Sequence, residues 1–264
     1  MIHFSFMTFS TPELTLDENL ALAQSLGYEG IEPRIEAGHR HGIELAATPA
    51  QRAAAGAKAA AAGIALCCVA TSRTYADPAK TAEQIELTRR CIDLAGDVGA
   101  PRLRVFGGGL PKGLERAAAI ELLAQSLRAV ADQAAARGVT LCVETHDDWR
   151  DPNHLAQVMA LVDHPAVGVN WDFAHPLIGH GLTPAESFET LKPWIRHAHI
   201  HDLARDAGGR WDLVWIGEGQ IDHRAAVECL RSIAWEGWLS GEWIDRTPGY
   251  AEHLPRELAT LKGY

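Results

Sequence analysis

VTLCVETH (residues 139–146), VGVNWDFAH (167–175), IRHAHIHD (195–202) and GWLSGEWI (237–244) share one pattern. Each is a short, largely apolar run that ends on a carboxylate or an imidazole: Glu144, Asp172, the histidines 197, 199 and 201, and Glu242. Continuous apolarity is what a strand needs when both of its faces are covered. Runs of the same kind lie upstream at HFSFMTF (3–9), YEGIEPR (28–34), IALCCVATS (64–72) and PRLRVFGG (101–108), which makes eight.

Helical patterns separate these runs, including Leu20–Leu26, the Ala-rich Ala53–Ala62, Ala82–Leu94, Ala117–Ala136, His154–Val162 and Arg224–Ile233. Gly27, Gly63, Gly99, Gly138 and Gly237 stand where a helix hands over to a strand and a left-handed cap is wanted. Asp77-Pro78, Asp151-Pro152 and Thr183-Pro184 read as helix starts. Strand and helix in strict alternation mean a parallel sheet with crossover helices. Eight such units in 264 residues predict an α/β fold, a (β/α)8 TIM barrel, with residues 1–264 as a single domain. A doubly wound open sheet would carry a GxGxxG turn after its first strand, and none is present.

A formal net charge of −10 opposes broad contact with nucleic acid or an anionic membrane surface. No run is long and apolar enough to span a bilayer, and MIHFSFMTFS reads as a first strand, not a signal peptide. The five cysteines form no CxxC pair and lie in apolar segments, so reduced thiols and a cytoplasmic location are expected. The sequence also allows a homo-oligomer.

In a parallel α/β barrel the reactive groups stand at the C-terminal ends of the strands. Carboxylates that end buried runs need a partner charge, which a divalent cation supplies. Two Glu, one Asp and one His make an oxygen-rich donor set suited to Mn²⁺, Mg²⁺ or Co²⁺. By strand alternation His197, His199 and His201 point to one face, and periodicity does not separate them.

These residues carry a resemblance to the xylose isomerase-like barrel superfamily, in its branch of small sugar isomerases and epimerases. It rests on E-x-H at the end of the fifth strand (Glu144, His146), D-x-x-H at the sixth (Asp172, His175) and H-x-H-x-x-D at the seventh (His197, His199, Asp202). A Gly217-Glu218-Gly219 segment then leads through a helix to Glu242 on the eighth. The resemblance implies that Glu144, Asp172, His199 and Glu242 bind one divalent metal ion, commonly Mn²⁺, with Mg²⁺, Co²⁺ or Zn²⁺ as substitutes. It implies that Glu144 and Glu242 are the acid/base pair acting on a small carbohydrate, with His175 and Arg205 on the substrate. His201 and Arg150 depart from the family pattern and bear on which sugar is taken.

Simpler roles stand beside these. Glu144 could pair with Arg104, and Asp172 could cap a helix. His146 reads equally as a satisfied polar residue or a substrate contact. Glu32 and Arg34 read equally as an ion pair at the barrel mouth or as substrate contacts. Gly107-Gly108-Gly109 lacks the Lys-Ser/Thr of a P-loop and reads as a simple loop. Trp149, Trp171, Trp211 and Trp215 either floor a sugar pocket or fill space between loops.

The expected activity is that of a metal-dependent isomerase or epimerase of a sugar or sugar derivative, working by proton abstraction and an enediolate. The alternative is a dehydratase of the inosose or dehydroshikimate kind. An endonuclease IV-like nuclease would need three zinc ions and further histidines on the third and fourth strands, which end Val-Ala-Thr-Ser and Phe-Gly-Gly-Gly. A non-catalytic sugar-binding barrel would have no use for two acid/base glutamates.

Overall fold

The computed structural model describes residues 1–244 and 248–264. Its parallel staves are β1 (Ile2–Met7), β2 (Gly30–Glu32), β3 in two segments (Ala65–Leu66 and Val69–Ala70), β4 (Arg102–Val105), β5 (Thr140–Glu144), β6 (Val167–Asp172), β7 (Ile195–Ile200) and β8 (Gly237–Gly241). Each pairs with its neighbour in chain order, and β8 returns to β1 with Ser240 opposite Ser5. The first segment of β3 pairs with β2 (Ala65 against Gly30) and the second with β4 (Val69 against Leu103). The ring therefore closes through one interrupted strand, and no long edge is left bare. The TIM barrel expected from the alternating pattern is the fold observed.

Helices follow the staves: α1 (Leu16–Leu26), α2 (Pro49–Ala61), α3 (Thr81–Val98), α4 (Arg116–Ala136), α5 (Pro152–Val162), α6 (Ala174–His180), α7 (Pro184–Leu191), α8 (His223–Ser232) and α9 (Tyr250–Lys262). Thr15, Thr48 and Thr183 close capping boxes at the starts of α1, α2 and α7. Two local expectations are corrected. Gly237 begins β8 in extended form, and the left-handed residue of that turn is Ala234 (φ 50°). Asp77-Pro78 makes a turn whose carbonyl and carboxylate bind Lys80, Thr81 and Ala79, so α3 starts three residues after the proline.

Two irregularities shape the barrel mouth. A register shift between β6 and β7 puts Ile195 opposite Val169 but His197 opposite Asn170, which brings Asp172 level with His199. After β7 the chain forms an antiparallel hairpin, Asp202–Arg205 with Trp211–Val214. The buried Asp202 carboxylate roots it by accepting the backbone N–H groups of Gly217 (2.9 Å) and Gly219 (2.9 Å). A Cβ at Gly219 would come within 2.1 Å of Asp202 Oδ1, so the glycine is there for close approach. Asp202 and the Gly-Glu-Gly segment are thus one structural unit. Among the described residues no helix is long and apolar enough to cross a membrane.

Candidate metal centre and substrate cavity

Glu144 and Asp172 are the last residues of β5 and β6, His199 lies one residue before the end of β7, and Glu242 follows β8 by one residue, with its N–H bonded to the Ile200 carbonyl at 3.1 Å. Their side chains converge. One ligand atom each from Glu144, Asp172, His199 and Glu242 lies within 4.8 Å of all the others, a spacing that could hold one metal ion. Glu144, Asp172 and His199 are buried, and Glu242 is slightly exposed.

The decisive feature is what these atoms lack. Glu144 Oε1, Asp172 Oδ2 and His199 Nδ1 are buried without a hydrogen-bond partner, and Glu144 Oε2 has an ion-pair contact with Arg104 but no hydrogen bond. Buried polar atoms are nearly always satisfied, so several orphans pointing at one spot need a common explanation. His199 Nε2 meets Glu32 Oε1 at 3.1 Å, while Nδ1 faces Glu242 Oε2 at 3.2 Å and Glu144 Oε1 at 3.6 Å. With Nε2 as donor, a neutral ring would aim a lone pair at carboxylate oxygens, and that contact is repulsive unless a positive charge lies between. A divalent cation fits this donor set, three carboxylates and one imidazole.

The electrostatics of the cluster favour positive charge at the same spot. Burial opposes the charged form of His199, but the charges of Glu32, Glu144 and Glu242 outweigh it and lift the imidazole well above its ordinary range. Burial raises Asp172 to about 6. Burial also works against the ionised Glu242, yet His199 and Arg104 hold it well below the usual carboxylate range. A proton on His199 and a metal ion would therefore compete for one place.

The suspected pairing of Glu144 with Arg104 is present, with Nε and Oε2 3.1 Å apart, and Arg104 also comes within 3.9 Å of Glu242. It does not exclude the cluster, because Glu144 Oε1 turns to His199. Asp172 does accept the Ala174 N–H through Oδ1 at 3.0 Å, as a cap would, and leaves Oδ2 toward His201 (3.5 Å) and His175 (3.7 Å).

Beside the cluster, and sharing Glu242 with it, is a cavity of about 320 Å³ lined by the polar His146, His175, His201 and Glu242 together with Leu203, Trp211, Leu213 and Ile244. His146 is bonded to Asp147 and its ring lies 4.3 Å from His175. Burial, then His146 and His201, hold His175 well below its ordinary range and so neutral. His201 therefore stands in the cavity.

Three expected site residues lie elsewhere. Glu32 is fully buried and bonded to His197 (2.8 Å) and His199, so it forms no ion pair with Arg34 and does not line the cavity. Arg34 spends its guanidinium on the Ile35 carbonyl and the Ser72 hydroxyl. Arg205 is exposed on the hairpin, bonded to the Gly209 carbonyl and lying over the Trp211 ring, so it meets the cavity only through that tryptophan. Of the four tryptophans weighed, Trp211 lines the cavity, whereas Trp149 and Trp171 are fully buried against Gly108 and Ser187. Gly107–Gly109 is a loop wrapped on the Trp149 indole.

A model of the xylose isomerase-like TIM barrel family matches residues 20–263. The chain belongs to that family. Two curated relatives are similar over part of their length. The 3-dehydroshikimate dehydratase of Bacillus anthracis is 26% identical over 45% of this chain and 47% of its own. The 2-oxo-tetronate isomerase of Pectobacterium atrosepticum is 28% identical over 62% of this chain and 64% of its own. The chain thus spans about half to just under two thirds of the curated relatives it matches. Among solved structures, the 3-keto-D-glucoside 4-epimerase of E. coli superposes with a TM-score of 0.81 at 15% identity, covering 100% of both chains. A probable 3-DHS dehydratase from Bacillus anthracis gives 0.80 at 20%, covering 98% of both. A protein named IOLI, solved with a zinc atom, gives 0.79 at 19%, covering 99% and 95%. At these identities the structural likeness concerns the fold. The family's related enzymes are isomerases, epimerases and dehydratases, and the ends of β3 and β4 here bring Thr71, Ser72 and Gly107 in place of further metal ligands.

Proposed function

We propose that this chain is a divalent-metal-dependent isomerase or epimerase of a sugar or sugar derivative, acting through removal of a proton beside a carbonyl. The observation that carries it is the set of unpartnered ligand atoms of Glu144, Asp172 and His199, joined by Glu242, beside a polar-and-apolar cavity. Glu144, Asp172, His199 and Glu242 would hold the ion, and the oxygen-rich set favours Mn²⁺ over a thiolate-seeking metal. When bound, the ion supplies Lewis acidity toward a carbonyl oxygen and its neighbouring hydroxyl.

The chain's own residues do the rest. Glu242 lines the cavity, and as a carboxylate one of its oxygens can take a carbon-bound proton. Glu144, three staves away, can return a proton from the other side. Neutral His175, with His146 and His201, offers donors and acceptors to sugar hydroxyls, while Trp211, Leu203 and Leu213 exclude water and cover the C–H face. Five unpaired cysteines support a reducing compartment such as the cytoplasm.

The Bacillus relative favours a second reading, a dehydratase that begins with the same proton removal but then expels hydroxide. The product mass separates the two, since only the dehydratase product is lighter by one water. Turnover in heavy water tests what both share: deuterium should appear beside the carbonyl in the isomerised product. Turnover without exchange would indicate hydride shift and remove Glu144 and Glu242 from the acid/base role.

A further inference from the structure

Glu32 is the group that the site's chemistry does not use. It ends β2, opposite Met7 of β1, and its carboxylate is fully buried. Each of its oxygens is engaged by one histidine of β7: Oε2 by His197 Nε2 at 2.8 Å and Oε1 by His199 Nε2 at 3.1 Å. A buried carboxylate is costly, and this one is satisfied by side chains 165 and 167 residues away in sequence. The arrangement crosses the barrel interior and fixes one ring edge of both histidines at once.

The consequence for His199 is geometric. An imidazole that donates Nε2–H has only Nδ1 left as a ligand atom, and Nδ1 is the atom that faces Glu144 and Glu242 without a hydrogen-bond partner. His197 holds the same carboxylate from below, so Glu32 cannot swing away from His199 without breaking a second bond. Cys68 borders this lower group, but burial pushes its thiol well up, so it stays protonated and offers no thiolate.

We propose that Glu32 is a positioning residue for the metal centre: it fixes the Nε2–H tautomer and the ring orientation of His199 so that Nδ1 is presented to the ion, with His197 locking Glu32 in place. This rests on the reading that Glu144, Asp172, His199 and Glu242 hold a divalent cation. Outer partners of this kind raise the basicity of the ligand as well as orient it.

The test is a metal titration of the stripped protein with Mn²⁺ or Co²⁺, in wild type and in Glu32→Gln, followed by ¹⁵N-histidine NMR of the zinc-loaded wild type. Glutamine keeps the shape but loses the charge, so affinity should fall ~10- to 100-fold while the metal-free fold, read by circular dichroism, is retained. The NMR should show His199 carrying its proton on Nε2 with Nδ1 on the metal. An unchanged affinity in a folded Glu32→Gln protein would overturn the inference alone. If that variant does not fold, the tautomer decides, and coordination of His199 through Nε2 would overturn it. A wild type that binds neither ion would remove the proposed function and this inference together.

Discussion

The two halves of the barrel mouth are built from similar strands and hold their polar groups in opposite ways. At the ends of β1 to β4, most polar side chains are spent on one another, on the backbone or, as with Glu32 and Arg104, on partners across the barrel. Thr8 meets His39 and accepts the Arg34 N–H, Thr71 bonds the Arg104 carbonyl, and Arg34 reaches Ile35 and Ser72. At the ends of β5 to β8, Glu144, Asp172, His175, His199 and His201 each keep at least one buried atom without a hydrogen bond. A half whose polar groups mostly find partners within the chain serves the fold. A half that leaves charged atoms unpaired sacrifices stability for something outside the chain to complete.

The largest expected effect falls on the unsatisfied half. Glu144→Gln and Glu242→Gln should keep the fold and lower kcat by about 100- to 10,000-fold, the usual worth of general acid/base help. Full activity in either would break the contrast, since the glutamate would then be spare. Metal should also matter to stability here. At a free concentration of 100 times its Kd, a bound ion should stabilise the native state by about 2.7 kcal/mol. Melting curves with and without chelator measure this, and coincident curves for a loaded protein would contradict it.

The satisfied half should respond to pH without reference to metal. His41, in the loop after β2, has its Nε2 on the Arg34 carbonyl and accepts the Ile43 N–H at Nδ1, so the ring must be neutral. Burial lowers it from 6.5 to about 4. The unfolded chain therefore binds this proton more readily, and the stability that His41 contributes is complete above pH 6.5 and lost as pH falls from there toward 4. The loss should be roughly 2 kcal/mol at pH 5. Denaturant titrations at pH 7.5 and pH 5, in wild type and His41→Gln, would isolate it; identical pH slopes would remove His41 as the cause.

The smallest effect is assigned to Arg205. Its exposed position predicts unchanged metal content and a KM rise below about tenfold in Arg205→Ala, transmitted through Trp211. A larger rise would mean that the hairpin closes further over the substrate than the structure shows.

The staves and the carboxylates that end them were legible in sequence because both are written locally. Residues 139–144 and 167–172 are apolar runs whose terminal carboxylate needs no distant information to be noticed. What was illegible depends on contacts across the barrel. Periodicity put His197, His199 and His201 on one face, and only contacts across the barrel tell them apart: Glu32 holds both His197 and His199 by Nε2, while Nδ1 of His199 faces Glu144 and Glu242. Glu32 and Arg34 are two residues apart and oppositely charged, which suggested a pair, yet each found a better partner inside the barrel. The hairpin did leave a signal, with Leu203 and Leu213 facing inward on either side of Asp206–Gly209, but its alternation is short and interrupted by charge.

The central claim is that the unpaired atoms of β5 to β8 complete themselves with one divalent ion. Elemental analysis of the loaded and desalted protein tests it most directly. About one equivalent of metal per chain is expected in wild type, and almost none in Asp172→Ala, whose fold should persist. No metal in wild type, nearly three equivalents of zinc, or full retention in Asp172→Ala would each contradict it.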